Sequence, residues 1–505
     1  MNTIKIKNFR SIVDSGDIPI NRINILLGKN SSGKSSFVRL FPMMKQTVNQ
    51  KRRGAVIWFD EHYDIGRFDI ALSRHATQDQ RIMFGVMLDK PQRVPNCKTA
   101  NCDDCAFINP VPNVFLNNSS KYGADLFLSS NHKGETIVSN VILKSDDYEV
   151  DLSLDDKEGY VVVTINGVSY FEKSLRWDFR ESHFLPNVFV SSNSKIAKTQ
   201  SKLNKIFNGL TVMKNRHLDE FHNIKTVKPE EILSQWKKKQ QNNPVISAVL
   251  KQIEGDSNEI KDITSFVVLI NLMRCLRFID SSISGYFEQS FYVAPVRYNY
   301  KRFMRNKEQA VDFIDPIGKN VMEYLEDMTP DDRKSYKKFL SESFNATFTI
   351  KGKDNKSIMV TKDGETDNLV DVGSGFSQVL PIATMLWDIV NRRGRYCGMP
   401  FVVAIEQPEL HLHPSMQAEF AEMIMRVISD SIKNNNNLNL IIETHSPIII
   451  NRIGRILRKS EGIQNVRAED VSILLFEKDK GITNISRTKY NNEGRIENWP
   501  IGFLD

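Results

Sequence analysis

The chain has 505 residues and a formal charge of +7, with 40% hydrophobic and 26% charged residues, which is the balance of a globular protein. It contains no apolar run of about 18 residues, so we expect no membrane-spanning helix. Five cysteines in so long a chain exclude a disulfide framework, and the N-terminus lacks the apolar core of a signal peptide. We therefore expect a cytoplasmic protein.

The predicted elements begin with two short strands, TIKIKNFRSI and RINILLGKN, and a helix over SSGKSSFVRLFPMMKQTV. Residues 133–170 have the period of strands, with Asn166-Gly167 as a hairpin turn. Residues 198–285 have the helical period, with a break at QQNNPVIS. Further strands are predicted at SFYVAP and in a hairpin over TFTIKGKDNKSIMVTKDGE. From Val379 onward helices and strands alternate, which indicates a largely parallel sheet covered by helices.

Residues 28–35, GKNSSGKS, match the pattern of a P-loop that follows an apolar strand and opens a helix. Glycines at both ends let backbone N–H groups wrap phosphates, while the lysine reaches the β- and γ-phosphates and the last serine holds Mg²⁺. We therefore expect a site for ATP and Mg²⁺, whose nucleotide-binding residues here are Asn30, Ser31, Ser32, Gly33, Lys34, Ser35 and Ser36.

The complement of the P-loop lies near the other end of the chain. Glu406 ends the apolar strand FVVAI, where ligands bind in parallel sheets, and it is the predicted Mg²⁺ contact beside Ser35. His445 follows the next strand, LNLII, and is predicted to orient the γ-phosphate. Ser374 and Gly375 precede another helix, which predicts a second phosphate-binding terminus. This combination indicates a dimer, in which each γ-phosphate lies between the P-loop of one copy and the Ser-Gly helix start of the other.

The segments NFRSI, GKNSSGKSS, GSGFSQVLP, IEQPELHLHP and ETHSP occur in this order. Together they resemble the ABC-type ATPases of the OLD and AAA15 kind, relatives of RecF and SMC heads. The resemblance implies an α/β fold with a mostly parallel sheet, an antiparallel β lobe and a helical insertion. It divides the chain into residues 1–95 as the N-terminal part of the ATPase head, 96–285 as an insertion, and 286–505 as the C-terminal part of the head.

The resemblance also implies a role for each matching residue. Lys34 and Ser35 match the Walker A motif, and Glu406 matches the Walker B acid. Ser374 and Gly375 match the signature, and His445 matches the switch histidine. Arg10 matches an arginine that approaches the nucleotide.

The position of the usual catalytic glutamate is occupied by Gln407. A glutamine can hold a water but cannot accept its proton as a carboxylate does, and loss of a positioned base costs about 10²–10⁴-fold in rate. Glu409, two residues later, is a candidate substitute. Two interpretations stay open: a switch that binds ATP tightly and hydrolyses it slowly or conditionally, or an ATPase that uses a different base.

The C-terminal RIENWPIGFLD resembles the tail of a subgroup that lacks the Toprim nuclease of OLD proteins. Members of that subgroup work in bacterial antiphage systems: PtuA-like ATPases of Septu and some retrons act beside an HNH nuclease, and AriA of PARIS acts with a Toprim effector. GFSQVLP and EQPELHLHP look closest to the PtuA-like ATPases. The resemblance predicts a nucleotide-dependent sensor or scaffold, a homodimer or higher oligomer of heads, that controls a partner nuclease or toxin. The alternative is a RecF- or SMC-like DNA-maintenance ATPase, although residues 198–285 lack the sustained heptads of SMC arms.

Three further features have two interpretations each. Cys97, Cys102 and Cys105 are spaced C-x₄-C-x₂-C, which suits a zinc site or free thiols in an insertion. Residues 195–240 hold eleven Lys/Arg against four Asp/Glu, a net +7, which suits nucleic acid or an ordinary solvated helix face. VRYNYKRFMRNK, residues 296–307, suits single-stranded nucleic acid or a role of Arg297 at the nucleotide or dimer interface.

Overall fold

The structure is a computed structural model. It describes residues 2–51, 54–76, 79–90, 114–155, 158–178, 183–210, 215–253, 256–305, 311–353, 355–391, 400–459, 463 and 465–497. The segment with Cys97, Cys102 and Cys105 lies outside the described residues, so the zinc interpretation stays a prediction.

The strands are, in chain order, β1 Thr3–Phe9, β2 Ile12–Asp14, β3 Ile18–Pro19, β4 Ile23–Gly28, β5 Phe59–Asp60, β6 Tyr63–Asp64, β7 Ile82–Asp89, β8 Lys121–Ser130, β9 Thr136–Ser145, β10 Glu149–Leu154, β11 Val161–Ile165, β12 Val168–Asp178, β13 Asn187–Val190, β14 Ser290–Val293, β15 Met304–Arg305, β16 Ala346–Lys351, β17 Asn355–Lys362, β18 Glu365–Asn368, β19 Phe401–Glu406, β20 Leu438–Glu443, β21 Val471–Asp479 and β22 Ile482–Thr488.

The helices are α1 Lys34–Val38, α2 Leu40–Asn49, α3 Phe68–Ala71, α4 Lys195–Asn208, α5 Asn215–His222, α6 Pro229–Lys239, α7 Pro244–Gln252, α8 Ser257–Glu288, α9 Val321–Asp327, α10 Pro330–Phe344, α11 Ser374–Asn391, α12 Pro414–Lys433 and α13 Pro447–Lys459. In the part of the chain that the structure describes, no helix combines the length and apolar character needed to cross a bilayer.

Most predicted elements are confirmed, including the Asn166-Gly167 turn, where both residues have positive φ, 45° and 82°. The helix predicted after the P-loop is divided into α1 and α2 at Arg39. Pro42 explains the division, because it has no N–H to donate back to the preceding turn.

The chain forms two compact units. Unit 1 comprises Met1–Phe9, Gln46–Ile57 and Ala76–Gly285, and unit 2 comprises Arg10–Lys45, Trp58–His75 and Tyr286–Asp505. The boundaries at residues 95 and 285, which the resemblance suggested, stay a prediction, because compactness alone does not separate a head from an insertion.

Unit 1 contains an antiparallel sheet with the strand order β13-β12-β11-β10-β9-β8-β7-β1. Its helices run from α4 to most of α8. Trp236 stacks on Phe221 with ring centroids 4.8 Å apart, and its indole N–H donates to the Phe221 carbonyl at 3.1 Å. Asn243 caps α7 by accepting from the backbone N–H groups of Val245 and Ile246, which explains the helix break seen in the sequence.

Unit 2 is built on a sheet with the order β14-β19-β20-β4-β21-β22, in which all neighbours pair in parallel except β21 and β22. The central strands β4, β19 and β20 are buried at every position, as expected for a parallel sheet covered on both faces. A smaller antiparallel lobe pairs β15, β16 and β18 with β17. The predicted α/β class is confirmed.

The register of β4 is held by a buried asparagine. The Asn24 side chain accepts from the N–H of Asn21 at 2.9 Å and donates to the carbonyls of Asn21 at 2.8 Å and Leu440 at 3.0 Å. Leu440 belongs to β20, so this side chain ties the strand before the P-loop to the strand before His445. It supports the parallel pairing that places the ends of β4, β20 and β19 at one edge of the sheet.

We expect Asn24→Ala to lower the free energy of unfolding of unit 2 by about 3 kcal/mol, because it leaves buried backbone groups without partners. Chemical denaturation followed by intrinsic fluorescence measures this. The matched control is Asn484→Ala, which changes an exposed asparagine of β22 and should cost under about 0.5 kcal/mol. Equal effects of the two substitutions would contradict the role of Asn24.

Candidate functional site

The loop between β4 and α1 is shaped by its glycines. Gly33 has φ +104°, in the left-handed region, and a Cβ there would lie 2.9 Å from Thr483 Oγ1. A Cβ on Gly28 would lie 2.4 Å from the carbonyl oxygen of Phe476. Both contacts are closer than real Cβ atoms allow, so this backbone path requires glycine at both ends. The loop therefore keeps open the concave surface that a phosphate chain needs.

Lys34 holds the loop through its own ammonium group. Its Nζ donates to the carbonyl oxygens of Gly28 at 2.8 Å and Lys29 at 2.9 Å, and it lies 3.9 Å from Oε1 of Glu443. Burial lowers the pKa of Lys34, and the negative charges of Glu443 and Glu409 oppose that shift. A buried cation beside loop carbonyls is well placed to exchange these contacts for phosphate oxygens.

The loop borders a cavity of about 550 Å³. Four residues that line it lie outside the positions predicted to bind nucleotide in the N-terminal part of the chain: Ser11, Gln407, Glu443 and Lys478. The cavity also brings together all eight nucleotide-binding positions predicted in the N-terminal part of the chain: Arg10, Asn30, Ser31, Ser32, Gly33, Lys34, Ser35 and Ser36.

The cavity fits a phosphate chain with a divalent cation. Ser32 Oγ and Arg10 Nε are buried and have no hydrogen-bond partner among the described residues, although both residues line the cavity. Burial lowers the pKa of Arg10, as does the nearby charge of Arg39. Unsatisfied buried donors are costly, so the oxygens of a bound phosphate chain would offset that cost.

Ser35 lies next to a carboxylate that the sequence analysis did not predict as a site residue. Its Oγ is 3.0 Å from both Oε1 and Oε2 of Glu443, the last residue of β20. Burial, followed by the charge of Glu406, raises the pKa of Glu443 to about 7. The available signal was its position at the end of a buried strand, directly before the THSP that supplied the predicted switch histidine.

Glu406 is engaged by other side chains. Arg39 donates to Oε1 from Nε at 2.9 Å and to Oε2 from Nη2 at 3.1 Å, and the Tyr292 hydroxyl donates to Oε1 at 2.8 Å. Burial lowers the pKa of Arg39, but its hydrogen bonds and the charge of Glu406 outweigh this, so that pKa lies above its ordinary value. The predicted Mg²⁺ contact of Glu406 stays a prediction, and Arg39 and Tyr292 are partners that sequence reasoning missed.

Arg297 contacts the backbone at the end of β19. Its guanidinium is buried and donates to the backbone oxygens of Ala294 and Glu406, the latter at 3.2 Å. Burial lowers the pKa of Arg297 to about 10. In the same segment Tyr300 is buried and its hydroxyl donates to the Gly318 carbonyl at 2.7 Å. These contacts give Arg297 and Tyr300 a structural role. Lys301, Phe303 and Arg305 of the same segment are exposed, so the nucleic-acid interpretation stays a prediction.

Gln407 and Glu409 have different surroundings. Gln407 has φ 44°, donates its backbone N–H to the Glu443 carbonyl at 2.8 Å, and lines the cavity. The Glu409 carboxylate accepts from Thr444 Oγ1 at 2.8 Å and from the N–H of His445 at 2.7 Å. Glu409 therefore shapes the loop after β20, and it is not among the residues that line the cavity.

His445 is half-buried, and its Nε2 has no hydrogen-bond partner among the described residues. Burial, together with the charge of Lys34, lowers the pKa of His445 and favours the neutral ring. A neutral ring with an unpaired nitrogen can donate to or accept from a ligand oxygen, as the predicted switch role requires.

Ser374 and Gly375 begin α11 and do not line the cavity formed by the P-loop. Ser374 is exposed, and the preceding Gly373 has φ +91°. The cavity is thus lined by the P-loop residues and Gln407, whereas Glu406, Glu409, His445 and the signature pair are not among its lining residues. No group of three or more His, Cys, Asp or Glu residues arranged for a metal occurs in the described ranges.

The chemistry of the assembled cavity follows from these groups. When bound, Mg²⁺ would offset the charge of the phosphates and polarise the γ-phosphate. Lys34 would bind phosphate oxygens, the loop N–H groups would orient the chain, and the Gln407 amide would hold a water without accepting its proton.

Two families match the chain. The AAA ATPase domain family, AAA_15, matches residues 1–450, and a family described as a protein of unknown function, DUF3696, matches residues 466–505. No curated protein matches the chain in sequence.

Among solved structures, the chain is similar to the Smc head domain with an extended coiled coil bound to the C-terminal domain of ScpA, from Pyrococcus furiosus. The identity is 9%, the TM-score is 0.37, and 97% of each chain is covered. An SmcHead bound to the C-winged helix domain of ScpA gives 9% identity, a TM-score of 0.38 and coverage of 96% of this chain and 97% of that one. The SMC head domain from Thermotoga maritima gives 11% identity, a TM-score of 0.32 and coverage of 96% of this chain and 97% of that one.

Membership of an ATPase family implies nucleotide binding, usually with Mg²⁺, and the cavity around Lys34 fits that group. Since the family match covers most of the sequence, the chain belongs to the AAA_15 family of AAA ATPase domains.

Proposed function

We propose that this ATPase is a nucleotide-controlled switch, which closes on ATP, hydrolyses it slowly or conditionally, and thereby controls a partner nuclease or toxin in antiphage defence. One observation carries the slow switch: Gln407, and not Glu409, lines the cavity, at the position where a hydrolytic ATPase of this kind has a glutamate. The defence setting is supported by the resemblance of GFSQVLP and EQPELHLHP to PtuA-like ATPases of Septu and retron systems, which suggests an HNH nuclease as partner.

Closure requires a second copy of the chain. The exposed start of α11 at Ser374 lies apart from the cavity that holds Lys34 and Ser35. Two copies that place each α11 start over the partner's cavity would complete both sites. In such a two-fold dimer both copies use the same surface to contact each other.

A DNA-maintenance function is the second candidate, and the basic run of unit 1 favours it. Lys237, Lys238 and Lys239 form the last turn of α6 and are exposed. By contrast, Lys195 pairs with Asp262 at 2.7 Å, so part of the positive charge is already neutralised. The three exposed lysines are therefore a compact cluster of cations that could contact phosphates.

Ser374→Arg should leave ATP binding unchanged but prevent ATP-dependent pairing of heads, because a bulky cation at the exposed helix start blocks its approach to another copy. Lys34→Ala should weaken ATP binding about 10- to 100-fold by removing the buried cation. Light scattering measures pairing and a fluorescent ATP analogue measures binding. Ser341→Arg, at an exposed serine of α10, and Lys338→Ala, also on α10, are the controls. ATP-dependent pairing that survives Ser374→Arg would contradict the shared site.

Gln407→Glu should raise ATP turnover at least about 10-fold, because it provides the carboxylate that can accept a proton from water. Steady-state phosphate release measures this, and Gln241→Glu, at an exposed glutamine of unit 1, is the control. If the wild type already turns over at about 1 s⁻¹ or faster and Gln407→Glu adds nothing, another base acts and the slow switch is wrong.

Each lysine that contacts one phosphate adds about −0.9 to the slope of log K against log salt concentration for duplex DNA. Replacing Lys237, Lys238 and Lys239 by Glu should therefore make this slope less negative by about 2.7. Fluorescence anisotropy with duplex DNA at several salt concentrations measures the slope. The matched control reverses Lys334, Lys337 and Lys338, which are exposed on α10 of unit 2. An unchanged slope would leave only the interpretation as a solvated helix face.

A further inference from the structure

Two carboxylates end neighbouring strands at the nucleotide site, and only one of them is beside the serine of the P-loop. Glu406 and Glu443 are register partners in the parallel pair β19–β20, so their side chains start from equivalent positions. Their surroundings differ completely. Glu443 contacts Ser35 and lies near Lys34, whereas Glu406 contacts Arg39 and Tyr292.

Glu406 has little capacity left for a metal ion. The Arg39 guanidinium bonds both of its oxygens in the two-pronged geometry that matches a carboxylate, and Tyr292 adds a third donor. Glu406 is 2% exposed and Tyr292 is 4% exposed, so the carboxylate and the hydroxyl are held away from bulk water. To bind Mg²⁺ directly, the buried Glu406 carboxylate would have to give up hydrogen bonds to Arg39, whose side chain is 31% exposed, and to the buried Tyr292 hydroxyl.

Glu443 has the geometry that Glu406 lacks. Ser35 Oγ is 3.0 Å from each of its carboxylate oxygens. An octahedral Mg²⁺ binds oxygens at about 2.1 Å, so adjacent ligands are separated by about 3 Å. The serine hydroxyl and the Glu443 carboxylate are thus already spaced as neighbouring ligands of one ion, and the backbone does not need to move.

We infer that Glu443 and Ser35 are the protein ligands of Mg²⁺ in this site, and that Glu406 is a positioning residue held by Arg39 and Tyr292. This inference rests on the proposed nucleotide-binding function and deepens it. Lys34 Nζ, 3.9 Å from Glu443 Oε1, balances the carboxylate charge before the ion binds.

The positioning role of Glu406 acts on Gln407. Arg39 and Tyr292 fix the Glu406 side chain, and Arg297 fixes its carbonyl group. The next residue, Gln407, then takes the left-handed conformation and donates its N–H to the Glu443 carbonyl. The cluster around Glu406 therefore positions Gln407 at the cavity, while Glu443 binds the ion.

The test compares Glu443→Gln with its matched control Glu406→Gln, which makes the same change one strand away. Binding of a fluorescent ATP analogue is titrated with Mg²⁺, and the bound ion is observed directly by electron paramagnetic resonance with Mn²⁺. Glu443→Gln should raise the half-saturating Mg²⁺ concentration at least about 10-fold and weaken Mn²⁺ binding equally, whereas Glu406→Gln should change either by less than about threefold.

Three further measurements complete the design. Binding of the analogue in excess EDTA should be the same in both variants, because no ion takes part. Ser35→Ala combined with Glu443→Gln should lose less Mg²⁺ affinity than the two single losses predict, since both ligands serve one ion. Glu406→Gln should lower ATP turnover while its Mg²⁺ requirement stays unchanged, which a ligand of the ion would not show.

The opposite ranking, with the Mg²⁺ requirement raised by Glu406→Gln and unchanged by Glu443→Gln, would overturn the inference. If Glu443→Gln does not fold, Glu443→Asp replaces it; that variant retains the charge, withdraws it by one methylene, and should still raise the Mg²⁺ requirement. Failure of the wild type to bind the analogue with or without Mg²⁺ would instead contradict the proposed function itself, so the two failures are distinguishable.

Discussion

The parallel pairing of β20 with β19 on one side and β4 on the other is the constraint on which the site depends. These three strands are buried at every position and end at the same edge of the sheet. Gly28, Glu406 and Glu443 are their last residues, so the glycine loop and two carboxylates necessarily meet there. The Asn24 side chain reinforces this arrangement, because its hydrogen bonds connect β4 directly to β20.

The charges at this edge are paired in a definite way. Lys34 lies with Glu443, Arg39 with Glu406, and Glu409 accepts from backbone and hydroxyl donors. Burial makes an unpaired charge costly, so a carboxylate that leaves its partner for another ligand would leave a costly unpaired charge behind. The pairing of Lys34 is the one that phosphates can replace, since the ammonium group already bonds to the loop on which they would bind.

The exposed start of α11 has no place among these paired residues of the nucleotide site. The cavity gathers residues of the P-loop together with Gln407 and Glu443, but Ser374 lies outside it in the same chain. An ATP site that needs a second copy would couple nucleotide binding to assembly, and slow hydrolysis would prolong the assembled state. This is the physical basis on which we propose a switch rather than a rapidly cycling enzyme.

The sequence by itself determined the elements and the P-loop, because these depend on local features: apolar runs, glycines at defined spacing, and the lysine and serine that follow them. It also placed Glu406, Gln407 and His445 at strand ends. Only the tertiary structure decided what each side chain contacts. Arg39, five residues beyond Lys34, reaches Glu406, and Tyr292 reaches the same carboxylate from β14. Strand order, and not spacing along the chain, put Glu443 beside Ser35, since β20 lies between β19 and β4.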